Sequence, residues 1–229
     1  MTAPPGHWAQ ALFRFGTTAR PRRDPDGEQL WLRPSERNWI DLRLPRMATY
    51  LLICPKSPPV DWWSAEKSLP RDVAVFCGPY PTERRGLPIL KALLRLATGA
   101  VFVGDMDPYS VVQYVETARM LSGAKRPSLL YGGVNDAWLD SMERTLSRRT
   151  RLERLLIPLA KHEISLLKDL ERVVDLEKLI EPRGCSVLRS GYKIELEGAT
   201  APRLYDGRHG RWVFRYLRSR IVQHARHGK

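Results

Sequence analysis

The sequence predicts an α/β fold, with a mostly parallel central sheet, helices on both faces and a helical C-terminal extension. Two observations predict it. Four short apolar runs, ATYLLIC (48–54), DVAVFC (72–77), AVFVG (100–104) and SLLYGG (128–133), are each stopped by Pro, Gly or charge, as buried strands are. Between them apolar residues recur at helical spacing: Leu87, Leu90, Leu93 and Leu94; then Val111, Val112, Val115 and Ala118; then Trp138, Met142 and Leu146. Strands that alternate with helices need crossover connections, which pair consecutive strands in parallel and cover the sheet on both sides.

Taken in order, residues 1–46 are rich in Pro and Arg, and PRRDPDGE (21–28) reads as a turn or loop. An extended, partly ordered basic arm is expected there, with one strand around Gln29 to Leu32. Residues 47–200 hold the α/β pattern. Within them LERLLIPLAKHEISLLKDLERVVDLEKLI, beginning at Leu152, turns helical, with Leu155, Leu156, Leu159, Leu166, Leu170, Val173, Val174 and Leu176 in a broad apolar stripe that Pro158 breaks or opens. Residues 201–229 form a basic helix or tail.

A chain of 229 residues buries a full core. Its net charge of +13 favours a polyanionic partner, nucleic acid or an acidic membrane face. No apolar run approaches the roughly 18 residues of a membrane span. Cys54, Cys77 and Cys185 form no CxxC pair and follow no signal-like start, so a reducing cytoplasm is expected.

The chemistry-bearing stretch is VFVGDMDPYS (101–110). A parallel sheet binds ligands beyond the carboxyl ends of its strands, and Asp105 and Asp107 sit at such an end. In extended chain, positions i and i+2 face the same side, so two carboxylates converge. Their repulsion is relieved by a hard dication such as Mg²⁺, with Mn²⁺ as a substitute, held by one or two carboxylates and a substrate phosphate. Pro108 suits the first position of a following helix, and either aspartate equally suits the cap of that helix. Both readings stand at this point.

GDMDPYS followed by VVQYVETARML, with YGGVNDAWL further on, resembles the TOPRIM domain of the topoisomerase VI A subunit, the meiotic double-strand-break transesterase and the Wadjet-type nuclease subunit. FCGPYPTERRGLPIL (76–90) is similar to the Gly-containing turn and helix before the Asp-x-Asp strand. SLLYGGVND resembles the strand that follows, and GYKIELEGAT (191–200) the Lys-x-Glu-x-Glu segment near the domain's end. The resemblance spans roughly Thr49 to Ala199. It implies DNA as partner and Mg²⁺ at Asp105 and Asp107, with phosphodiester cleavage by metal-activated water where the site is catalytic.

Three departures matter. Ser110 stands where the pattern usually has Gly. The family's glutamate at the end of the first strand falls at about Cys54, and soft sulfur does not replace a carboxylate around Mg²⁺. Glu83 is the nearest candidate to complete the site, with Asp136 another, and each reads equally as an exposed loop acid. Fewer than fifty residues precede the first strand, so the winged-helix domain that carries the attacking tyrosine in break-and-rejoin relatives is expected from a partner chain, as is any ATPase. Glu195 and Glu197 alternate in extended chain and share one face, toward metal or solvent.

From Arg203 to Lys229 there are eight Arg or Lys against the single acid Asp206. Arg211, Arg215 and Arg218 recur at helical spacing with Arg208 and Arg220 nearby, a row suited to phosphates through counterion release. Trp31, Trp39, Trp62 and Trp63 suit base stacking or, more simply, core packing. Two functions follow: a Mg²⁺-dependent DNA nuclease or topoisomerase VI A-like subunit, or a degenerate, non-enzymatic DNA-binding module.

Overall fold

The structure is a computed structural model, described over residues 20–23, 30–33, 41–45, 48–65, 70–78, 86–121, 129–144, 152–201 and 213–220. Three short strands come first: β1 (Arg20–Arg23), β2 (Leu30–Arg33) and β3 (Asp41–Arg43). Only β2 matches the strand expected near Gln29 to Leu32. The arm is instead an antiparallel meander whose last strand pairs antiparallel with a strand of the main domain, Leu42 opposite Phe76. Arg-rich strands of three or four residues carry no period-two apolar signal, so only their partner reveals them.

The expected alternation follows. β4 (Tyr50–Cys54) leads to α1 (Ser57–Ala65), β5 (Val73–Cys77), α2 (Gly86–Leu96), β6 (Gly99–Phe102), α3 (Pro108–Leu121), β7 (Leu129–Tyr131) and α4 (Asp136–Glu143). Leu146 lies outside the described residues. The seven strands form one sheet in the order β1-β2-β3-β5-β4-β6-β7, and β5, β4, β6 and β7 are mutually parallel. Every residue of β5 and β6 is buried, as in a sheet covered on both faces. Within the parallel block the order is second, first, third, fourth, so the direction of winding reverses between β4 and β6. The crevice beyond the carboxyl ends of those two strands is where open α/β sheets hold ligands.

The region after residue 150 differs from the expected broken helix. A short 3-10 turn (Leu152–Leu155) precedes β8 (Ile157–Pro158), and α5 (Lys161–Leu170) begins only afterwards. Pro158 is accommodated in a strand, where its fixed φ costs little. Glu163 Oε2 accepts the Ala160 N–H at 2.7 Å and so starts α5. Next come α6 (Leu176–Arg189), β9 (Tyr192–Lys193) and α7 (Leu196–Thr200), with β9 antiparallel to β8.

α6 is broken at Glu181, whose φ is 67°, and Pro182 restarts it. Two helix starts exchange carboxylates at this break. Glu181 Oε2 accepts the Ala137 N–H of α4 at 3.1 Å, while Asp136 accepts the Arg183 and Gly184 N–H groups at 2.9 and 2.7 Å. Each carboxylate satisfies amides that a helix start leaves open.

Residues 213–220, designated α8, are helical and belong to the core. Val213, Phe214, Tyr216 and Leu217 are buried. Phe214 meets Trp63 edge-on at 5.3 Å, and Tyr216 meets Trp138 at 5.6 Å. Trp63 is therefore a packing residue and Trp62 is half-buried beside it. The side chains of Trp31 and Trp39 lie outside the described residues.

The approach of α8 to the sheet requires a glycine at 132. A Cβ there would lie 2.4 Å from Val101 Cγ2 and 3.0 Å from Leu217 Cδ2. Gly132→Ala is expected to destabilise the fold by about 1–3 kcal/mol, read as a lower urea midpoint. Gly198→Ala is the control: a Cβ there meets nothing within 4 Å. It should be neutral or stabilise by up to about 1 kcal/mol, because alanine favours the helix.

Candidate functional site at the carboxyl end of the sheet

The backbone leaves β6 through Val103 and Gly104 and turns into α3 across Asp105, Met106 and Asp107, all buried. Met106 bridges antiparallel to Ile194, donating to its carbonyl at 2.9 Å and accepting its N–H at 3.3 Å. The segment after β9 is thereby laid against the end of β6. Tyr131 Oη donates to the Asp105 carbonyl at 2.9 Å, and the Asp105 N–H donates to Ser110 Oγ at 3.0 Å. Ser110, the departure from the family's Gly, thus holds the turn.

Asp107 is the cap of α3. Its Oδ1 accepts the Ser110 N–H at 2.6 Å, three residues on, and Pro108 fills the first helical position. Asp105 has a different role. Its Oδ1 accepts the Leu196 N–H at the start of α7 at 2.7 Å, and its Oδ2 meets Lys56 Nζ at 2.8 Å. The same ammonium lies 2.6 Å from Glu197 Oε2. One lysine, just past the end of β4, therefore joins a carboxylate from the end of β6 to a carboxylate from α7.

The KIELEG segment accordingly departs from the expected alternation. Ile194 ends the extended stretch and Glu195 stands at the start of α7, so Glu197 turns to Lys56 while Glu195 lies 3.6 Å from Lys193. Lys193 Nζ also contacts the buried Glu163 Oε1 at 2.8 Å and places a second positive charge near Asp107.

The electrostatics follow from burial and this alternation of sign. Burial and the charge of Asp107 push the Asp105 carboxyl up to about 6, against the pull of Lys56 and the Leu196 amide. Burial also raises Asp107, against the Ser110 amide and the two lysines. For Lys56, burial works against the charge, but Asp105 and Glu197 outweigh it and hold the ammonium protonated well above its ordinary range. Burial, with Asp107 and Asp105 nearby, raises the Tyr131 hydroxyl strongly, so it stays a donor. Burial pushes the Cys185 thiol up to about 11, which keeps it protonated at neutral pH.

Several sequence expectations can be placed. Asp105 and Asp107 both lie at the strand end, one engaged by Lys56 and the Leu196 amide and the other serving as a helix cap. Cys54 is fully buried, its thiol donating to the Lys56 carbonyl at 3.2 Å, which fits a small core residue. Asp136 is committed to the α6 amides, and Glu83 lies outside the described residues. On α8, Arg215 is exposed, Arg218 reaches Asp72 at 3.0 Å and Arg220 reaches Glu181 at 3.6 Å. Arg208 and Arg211 lie outside the described residues. Among those residues no helix is long and apolar enough to cross a membrane.

The divalent ion implied by the family resemblance does not fit this donor set as it stands. The position beside Asp105 Oδ2 and Glu197 Oε2 is filled by an ammonium, and Asp105 Oδ1 and Asp107 Oδ1 are engaged by amides. No known protein-family model matches the chain, and no curated protein matches it. The sequence signal for Lys56 was its place, a cation two residues beyond the first parallel strand; the pairing of that strand with the Asp-x-Asp strand comes from the tertiary structure.

Two titrations test this arrangement. The Asp105 carboxyl should titrate near 6 by carbon-13 NMR, and Lys56→Met should move it upward, since the main favourable charge is lost. An acid that binds its proton more tightly in the folded state makes that state lose stability as pH rises from about 4 to about 6. Denaturant unfolding should show that contribution in the wild type and lose it in Asp105→Asn. At the alkaline end stability again falls as pH rises, because the Lys56 contribution is complete below its ordinary value near 10.5 and is lost above it.

Proposed function

We propose that this chain is a DNA-binding subunit or adaptor on a TOPRIM-like α/β scaffold, with an Asp-x-Asp end that acts as an ionic latch without divalent metal. The observation that carries the reading is the position of Lys56 Nζ, 2.8 Å from Asp105 and 2.6 Å from Glu197, where the family resemblance would put a metal. A buried carboxylate neutralised by a lysine no longer needs a dication, and a strand that ends in Cys54 supplies no third hard ligand.

Support for DNA as partner comes from charge. The net charge is +13, and the last 27 residues hold eight basic side chains against one acid. Duplex backbones take up such surfaces with release of counterions. Ion pairing draws Arg218 and Arg220 toward Asp72 and Glu181, which leaves Arg215 as the α8 guanidinium best presented to phosphate. Chemistry on the DNA, in this reading, comes from a separate chain that carries a winged-helix or ATPase domain.

Mg²⁺- or Mn²⁺-dependent cleavage by Asp105 and Asp107 is the second reading, favoured by the repulsion between the two carboxylates.

Gel retardation of a labelled duplex separates these readings. Retention should persist in EDTA, and Arg215→Ala should weaken it and reduce the salt slope by about 1. Absence of retention near 0.1 M salt would remove DNA as the partner. Mg²⁺-dependent cutting that disappears in Asp105→Asn/Asp107→Asn would establish the second reading.

A further inference from the structure

We infer that DNA phosphates dock on the outward face of α8 at Arg215 and Arg218, and that the Asp72 carboxylate is a built-in competitor that holds Arg218 until a phosphate displaces it. The inference rests on the DNA-binding reading above and adds to it the residue that tunes the affinity.

Helical spacing makes Arg215 and Arg218, three residues apart, neighbours on one face. Both are exposed, whereas Val213, Phe214, Tyr216 and Leu217 are buried. α8 cannot turn the two guanidinium groups away from solvent without losing its aromatic contacts with Trp63 and Trp138. Arg218 also shares with Tyr50, Pro70, Val73 and Leu217 the lining of a small cavity between α8 and the strands, so its base is held by packing.

Asp72 is the acid that meets this face, its Oδ2 lying 3.0 Å from Arg218 Nη2. The backbone fixes it in place. Its carbonyl accepts the N–H groups of Thr49 and Tyr50 at 2.8 and 3.0 Å, which ties the turn before β5 to the start of β4. A carboxylate held there offers a guanidinium the same kind of charged oxygen that a phosphate offers. Because Asp72 precedes β5 and Asp105 follows β6, and both strands run parallel to β4, the two aspartates lie at opposite ends of the parallel block. DNA held at Arg218 therefore leaves the Lys56 cluster undisturbed.

Exposure decides which anion prevails. The side chains of Arg218 and Asp72 are 62% and 25% exposed, so water and salt screen the pair and it contributes little to stability. A duplex presents a row of phosphates and releases condensed counterions as each is neutralised, a gain that a single carboxylate lacks. Phosphate therefore displaces Asp72, at the cost of separating the ion pair. Glu181 differs: its carboxylate also accepts the Ala137 N–H at 3.1 Å, which keeps it, and the Arg220 beside it, committed to the start of α4.

The test measures binding of a fluorescein-labelled duplex by anisotropy, in EDTA and about 0.1 M salt, to the full-length wild type, Asp72→Asn, Arg218→Ala and Asp72→Asn/Arg218→Ala. Asp72→Asn keeps the carbonyl that anchors Thr49 and Tyr50, so its unfolding temperature should stay near that of the wild type. It should bind about two- to fivefold more tightly, and Asp72→Ala, run in parallel, should do the same. Arg218→Ala should bind more weakly, with a salt slope smaller by about 1. With Arg218 removed, Asp72→Asn should change nothing, since the competitor acts only through that guanidinium. An equal gain in both backgrounds would make Asp72 a general repulsive charge and overturn the inference, as would no gain in either. Both of those results leave the DNA-binding reading standing, whereas failure of all the proteins to bind duplex removes that reading and this inference with it.

Discussion

The two oxygens of Asp105 hold together parts of this protein that are far apart in the chain. One takes the amide that begins α7 and the other takes the ammonium that follows β4, so residues 56, 105 and 196 meet at one carboxylate. Glu197 closes the arrangement by taking the same ammonium. Beside these contacts, the Met106–Ile194 bridge lays the segment from β9 to α7 on the end of β6.

The charge pattern explains why so many ionisable groups tolerate burial. A buried carboxylate costs several kcal/mol unless paired, and truncating one member of such a pair costs about 3–5 kcal/mol. Around the strand end each carboxylate has a lysine near it: Glu197 and Asp105 share Lys56, while Asp107 and Glu163 lie near Lys193. Each charge has an opposite neighbour, and backbone amides take up further oxygens. Ion pairs demand directional geometry that apolar contacts do not, so they position α7 at the end of β6 more sharply than packing alone.

The same economy of carboxylates recurs at the start of α4. Asp136 and Glu181 each cap the helix that the other begins, and Arg183 reaches from the restarted α6 to Asp140 and Glu143. α8 adds its own pairs through Arg218 and Arg220 while its apolar side covers Trp63 and Trp138. A helix that looked in sequence like a basic appendage is thus held from both sides, by aromatic packing and by ion pairs. Arginines that look free in sequence are partly spent on the protein itself.

By itself the sequence determined the parallel block. β4, β5, β6 and β7 and the helices α2, α3 and α4 are legible because apolar periodicity is local and the strand ends are marked by Gly, Pro or charge, whereas α1 is not read from the sequence. It also placed Asp105 and Asp107 at a carboxyl end, with Pro108 at a helix start. Tertiary structure alone decided what those aspartates face. Lys56 becomes their neighbour only because β4 lies between β5 and β6, an order that no local pattern encodes, and Glu197 joins them only because extended chain gives way to helix at Leu196. Of the arm's short strands β2 was legible, whereas β3 was hidden for the same reason: its pairing with β5 is distant in sequence, and periodicity reports only on neighbours along the chain.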